Sequence, residues 1–223
     1  MLKTIRFAFV VALFAASSFA SVVSVTNPGN LNANDSVDWS QLGGDLTTVS
    51  SPFAANSLLG NLVAVINGNN DFYVIQQGNS WNGNFNPGDT VLHNQATGAV
   101  EIDFLIPIMA VGARFQPIDL GVGYSIFITA FNASNTNLGT VTTTGLSTGA
   151  ADGSAAFLGV MSSTADIASI VVNVQVDGAD NAFALGSLSI AEAPTGVPEP
   201  STMFLAVGGM LACVARKFRS RRS

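Results

Sequence analysis

Glu101 and Asp103 stand two residues apart in AVEIDFLI. The run has the alternation of a half-buried strand: Val100, Ile102 and Phe104 point one way and the two carboxylates the other. Two residues along a strand span about 7 Å between Cα atoms, near the separation at which paired carboxylates hydrolyse glycosidic bonds. The plainer reading is the solvent side of a sheet, because no His or Lys stands close by to tune either acid. Arg114, the nearest cation, reads as a surface charge. His93 is the single histidine, so a multi-histidine metal site or a Ser-His-Asp triad would have to be built on it alone. It reads instead as a polar residue at a strand edge.

Other residue types suggest binding without turnover. Trp39, Trp81, Phe72 and Tyr73 lie outside the most regular strands and are candidate platforms for sugar rings. Trp81 in NSWNGN is the best placed of them, with Tyr73 beside it, and loop-anchor packing is the competing role. No metal site is expected, although Asp71 in NGNND and Asp177, Asp180 and Asn181 in DGADN carry the hard oxygens that extracellular Ca²⁺ sites use. Turn formation accounts for the same residues, and EF-hand spacing is absent. No other cofactor is implied. Cys213 is the only cysteine, so no intramolecular disulfide forms and no soft-metal cluster is available in the body.

The elements that must position these residues are short β-rich runs between Val22 and Ile190, with no long stretch at helical period. Twelve strands are expected: SVVSVT, VDWSQL, LVAVI, FYVIQ, TVLH, AVEIDFLI, AVGARFQP, YSIFITAF, NLGTVTTTG, AAFLGVMS, IASIVVNVQV and AFALGSLSI. NGNND, NPGD, NASNTN and DGADN punctuate them with residues that tolerate left-handed backbone. Many short strands without intervening helices predict a two-layer sandwich. YSIFITAF should be buried on both faces. IASIVVNVQV should turn Ala168, Ile170, Val172, Val174 and Val176 to the core. The Asn- and Gly-rich region 67–94 should form long loops or an edge hairpin at one end.

The chain is 48% hydrophobic and 10% charged, so its polar surface comes from Asn, Ser, Thr and Gly, which suits a secreted β-protein. Of eight Lys and Arg only Arg114 lies in the middle, where it faces fourteen acids, a formal −13. Such a body repels phosphate backbones, which excludes non-specific nucleic-acid binding. Asn34 and Asn132 head Asn-x-Ser sequons that would be idle in a bacterial chain.

Both ends read as addresses. Lys3 and Arg6, the apolar run from Phe7 to Ala16, and small residues at Ser18 and Ala20 form an export signal, with cleavage expected between Ala20 and Ser21. At the other end VPEPS precedes fourteen largely apolar residues, Thr202 to Ala215, and a basic cluster of Arg216, Lys217, Arg219, Arg221 and Arg222. Pro198 and Pro200 keep the strip extended and open to a protease. As helix the apolar segment is about 21 Å long, short of the roughly 30 Å hydrocarbon core, while the basic cluster would hold its end in the cytoplasm.

This tail resembles the PEP-CTERM sorting signal of exported Gram-negative proteins. The resemblance implies recognition of Val197, Pro198, Glu199, Pro200 and Ser201 by an exosortase at the inner membrane, and cleavage nearby. The middle is more loosely similar to the cargo domains of that family, through Gly112 to Phe115, Leu138 to Val141 and Ala156 to Val160, which implies a jelly-roll-like sandwich. The expected organisation is a signal peptide (1–20), a β-sandwich (21–190), a linker (191–196) and the sorting signal (197–223) with a short transmembrane helix. The Sec export machinery, an exosortase and extracellular polysaccharide are the expected partners, the inner membrane is a transient station, and the outer surface or matrix is the destination. A non-catalytic structural or glycan-associated role is expected. The alternatives are a polysaccharide-binding module, or a hydrolase using Glu101 and Asp103.

Overall fold

A computed structural model of the protein describes residues 21–66 and 71–193. The expected signal peptide, the sorting strip, the apolar segment with Cys213 and the basic cluster lie outside these residues. The strands are β1 (Val23–Val25), β2 (Asp35–Val37), β3 (Thr47–Val49), β4 (Phe53–Asn56), β5 (Leu62–Ile66), β6 (Phe72–Gln76), β7 (Thr90–Asn94) and β8 (Val100–Ile108). There follow β9 (Ala110–Pro117), β10 (Gly123–Phe131), β11 (Asn137–Leu146), β12 (Ala156–Met161), β13 (Ile167–Val176), β14 (Ala179–Asp180), β15 (Phe183–Leu185) and β16 (Leu188–Ala191).

They form two antiparallel sheets packed as a sandwich. Sheet A has the order β1-β12-β9-β15-β7-β6-β3, with β16 bridging β9 and β2, and sheet B the order β11-β10-β13-β8-β5-β4, with β14 on β13. Alternate residues of each sheet meet in one core: Val63, Ile102, Ile128 and Val172 from sheet B pack against Phe72, Leu92, Phe115 and Phe183 from sheet A. Burying such side chains contributes about 1.5–3 kcal/mol each, which is how a chain without disulfides holds its fold.

Sheet A is covered on its outer face as well. Ile75, Trp81, Phe85, Val91, Ala155 and Ala184 make a second cluster there, and Val25, Leu31, Ala110, Phe157 and Ala191 a third. Double coverage explains why both faces of β9 are buried, all of it except Arg114. Gly112 and Gly159 lie opposite each other on β9 and β12. A Cβ at Gly112 would stand 2.7 Å from the Gly159 Cα, so the close approach of these strands requires glycine.

Several expectations change. VDWSQL is not one strand: β2 ends at Val37, and Asp38 caps a 3₁₀ turn over Trp39–Leu42 by accepting from Ser40 N at 2.9 Å. AFALGSLSI splits into β15 and β16 around Gly186, whose N–H donates to Arg114 O at 2.9 Å. Ala191, expected in the linker, closes β16. β3 and β4, short and on opposite sheets, carried no clear alternation. On β10 only Tyr124, Ile126, Ile128 and Ala130 are buried; Phe127 and Phe131 are partly open because no third layer covers sheet B among the described residues. On β13 a register irregularity between Ile167 and Ser169 turns Ile167 inward in place of Ala168, and Val176 at the strand's end is only partly covered.

Candidate functional site

The region from Phe72 to Asn94 is a hairpin of β6 on β7 with a long excursion, 77–89, that folds back over the outer face of sheet A. The excursion is ordered by buried amides. Gln116 lies on the outer side of β9, fully buried, and its Oε1 accepts from Asn84 N at 2.6 Å while its Nε2 donates to Ser147 Oγ at 2.8 Å and Thr148 O at 3.0 Å. Asn84 Nδ2 donates to Thr148 Oγ1 and Ser154 Oγ, both at 2.7 Å. One buried Asn and one buried Gln thus tie loops 77–89 and 147–155 to the sheet, and leaving either amide unpaired would cost about 1–3 kcal/mol.

That packing corrects the reading of the aromatics as exposed platforms. Trp81 is 7% exposed and anchors the second cluster. Trp39 is fully buried, its Nε1 donating to Gly186 O at 2.9 Å. Phe72 is fully buried, edge-on to Phe53 at 5.4 Å. Tyr73, on the outward side of β6, stays half-open.

Trp81 and Tyr73 nevertheless meet at one place. A recess of about 350 Å³ is lined by Tyr73, Ile75, Trp81 and His93, with Ser80 and Asn82 beside them and Leu46, Ile118 and Leu120 around it. His93 is not at a sheet edge: β7 lies between β6 and β15, and the cross-strand partners of His93 are Tyr73 and Ala184. Its imidazole lies 5.2 Å from the Trp81 ring and its buried Nε2 has no hydrogen-bond partner among the described residues. Burial lowers its pKa to about 4, so the ring is neutral at pH 7. The recess therefore offers ring surfaces, aliphatic side chains and uncharged polar groups, which suits a ligand with one apolar face and several hydroxyls. Leu46, Ile118 and Leu120 were not foreseen; they are exposed apolar residues in turns, and the signal that could have found them is that mismatch of type and position.

A second recess, about 400 Å³, shares the excursion. Phe85, Asp89 and Thr90 line it with Asp38, Arg114 and Phe157. Arg114, expected on the surface, is half-buried and donates from Nη1 to Ala155 O at 2.7 Å.

The remaining candidates stay apart. Glu101 and Asp103 do share the outward side of β8, beside Val171 and Ser169 of β13, and neither lines these recesses. Burial raises the Asp103 carboxyl above its ordinary value. Asp180 accepts from Asn173 Nδ2 at 2.7 Å and Gln175 Nε2 at 2.9 Å, which lowers its pKa; Asp177 sits in a left-handed turn (φ 50°), and Asn181 donates to Asp119. Among the described residues no three His, Cys, Asp or Glu gather where they could hold a metal ion. Asn34 and Asn132 are both engaged in hydrogen bonds, Asn34 Oδ1 accepting from Glu192 N at 2.8 Å and Asn132 Oδ1 from Thr136 N at 2.9 Å.

The architecture is that of an all-β sandwich whose loops cap one sheet. Residues 196–222 match the model of the PEP-CTERM protein-sorting motif. The chain is thus a PEP-CTERM motif-bearing protein, exported, anchored at a membrane before sorting, and processed by an exosortase. No curated protein matches it. Solved structures to which it is similar include a DUF4465 family protein from Bacteroides caccae, at 9% identity and a TM-score of 0.45, covering 72% of this chain and 100% of that one. Another is CsCBM6-3 from Clostridium stercorarium in complex with cellobiose, at 13% identity and a TM-score of 0.32, covering 68% and 99%.

Proposed function

We propose that the protein is a non-catalytic, glycan-associated component of the outer surface or extracellular matrix, and that it holds sugar in the recess floored by Tyr73, Trp81 and His93. The observation that carries this reading is the convergence of those three rings with Ser80 and Asn82 in one open recess. A sugar ring has an apolar C–H face and a hydroxyl rim. The aromatic surfaces take the face, and the serine and amide exchange hydrogen bonds with the rim. Hydrolysis by Glu101 and Asp103 is the rival. Its one favourable observation is the raised Asp103 carboxyl, suited to holding a proton, but that pair lines neither of the two recesses described above.

Affinity electrophoresis through gels cast with β-glucan, galactomannan, xylan or polysaccharide from the producing organism tests the proposal. Retention in at least one gel that Tyr73→Ala abolishes is the expected result. Equal mobility in all gels, or retention indifferent to Tyr73, overturns it.

A further inference from the structure

Five large aliphatic side chains stand open at one end of the sandwich. Leu58 and Leu59, 80% and 61% exposed, occupy the turn between β4 and β5; Leu62 follows on β5, and Leu105 and Ile106, 71% and 58% exposed, lie at the end of β8. Hydrogen bonds make them one patch. Asn61 Nδ2 donates to Ile106 O at 3.0 Å and Ile106 N to Asn61 Oδ1 at 3.1 Å, joining the turn to β8.

The same patch surrounds the place where the described chain ends. Leu58 N donates to Ser36 O at 2.8 Å and Leu59 N to Asp35 Oδ1 at 2.9 Å, while Asp35 and Ser36 pair with Ile190 and Ser189 of β16. From the other side Met109 N donates to Ala191 O at 2.8 Å, three residues beyond Ile106. β16 therefore leaves between β2, to which the Leu58–Leu59 turn is hydrogen-bonded, and the β8–β9 corner, which follows Leu105 and Ile106.

The sorting motif begins a few residues later, at 196, and it is the part of the protein that meets the membrane. Residues 193–201 reach at most about 30 Å even when fully extended, so this end of the sandwich stays close to the headgroups while the motif is attached. We infer that it is a membrane-facing surface, and that Leu58, Leu59, Leu105 and Ile106 enter the interfacial layer of a lipid bilayer before the protein is sorted.

The composition of the patch selects lipid over a protein partner. It is purely aliphatic, with none of the Trp, Tyr or Arg that anchor protein interfaces. It carries no exposed cation for anionic headgroups on a strongly acidic body, so the surface it fits is a zwitterionic bilayer, entered by apolar area alone. Polarity along the fold agrees. β9 runs from Ala110, beside Ala191, to Pro117, next to Ile118 and Leu120, which sets the Tyr73–Trp81 recess about 23 Å from the patch along the strand direction. A body seated on this patch points its recess away from the bilayer.

The test uses exported protein that retains residues 194–223, reconstituted in phosphatidylcholine vesicles. Leu59→Cys and Leu105→Cys, each with Cys213→Ser, are labelled with bimane and challenged with brominated phosphatidylcholine. Leu146→Cys is the reference, an equally exposed leucine paired with Gly123 at the opposite end of sheet B. Quenching of about threefold at 59 and 105, and little at 146, is expected for side chains at interfacial depth. No quenching at 59 and 105 overturns the inference, and so does quenching that appears only when the vesicles also hold an exosortase, which would make the patch a protein docking surface. Amide exchange of the unlabelled protein is the second measurement: residues 58–60, 105 and 106 must slow on vesicles, and unchanged exchange overturns the inference whatever the labels do. Neither readout involves sugar, so its failure is separable from failure of the glycan reading.

Discussion

The imidazole of His93 and the indole of Trp81 face each other at 5.2 Å with their planes 47° apart, on the outer side of sheet A. The pair joins a strand to the excursion that covers it, so the same contact anchors the loop and floors the recess.

Anchoring and binding separate by substitution. Trp81→Ala removes the centre of the second cluster and is expected to cost about 3–5 kcal/mol in urea unfolding. Tyr73→Ala, at a half-open ring, should cost about 1 kcal/mol and lose polysaccharide retention. A tryptophan variant as stable as the parent would mean that the loop does not depend on the cluster.

His93 makes stability fall with acid. Its pKa is about 4 in the folded protein against 6.5 in the unfolded chain, so between those values the unfolded state takes up a proton that the folded state refuses. The contribution is fully present above pH 6.5, is lost as pH falls toward 4, and levels off below that, at most about 3 kcal/mol in all. His93→Gln should flatten this part of the profile relative to the parent, as read by thermal midpoints from pH 7 to pH 4.

Asp103 has the opposite sign. Burial raises its carboxyl, so the ionised form is disfavoured in the folded state at neutral pH. Asp103→Asn is expected to hold or raise the thermal midpoint at pH 7, an advantage that shrinks as pH falls toward and below 3.8. Glu101→Gln with Asp103→Asn should leave glycan turnover at background. A measurable hydrolysis lost in the double variant would establish the rival reading.

Asn84→Ala strands its side-chain partners, Thr148 N, Thr148 Oγ1 and Ser154 Oγ, and should cost about 1–3 kcal/mol. Limited proteolysis should then cut within 77–89 and 147–155 first, leaving the strands of sheet B intact.

The strands of the inner faces were legible because a half-buried strand carries its own record: Val100, Ile102 and Phe104 against Glu101 and Asp103 are inward and outward as the alternation reads. β9 was legible as a strand but not as one covered on both sides, since Gly112, Arg114 and Gln116 on its outer side do not say what lies over them. The excursion misled in a systematic way. NSWNGNFN has the composition of an exposed loop, yet Asn84 and Phe85 are buried, because Gln116, Thr148 and Ser154 reach it from far along the chain.

The sequence by itself determined that the chain is an exported β-protein carrying a sorting address, because period-two burial, turn chemistry and a terminal motif are local properties of neighbouring residues. Only the tertiary structure decided that Trp81 is an anchor, that Tyr73 and His93 share its recess, and that Leu58 and Leu105 lie beside the chain's exit at the far end of β9. Those relations depend on which strands pair across the sheets and which loops fold back over them, and spacing along the chain carries no trace of either.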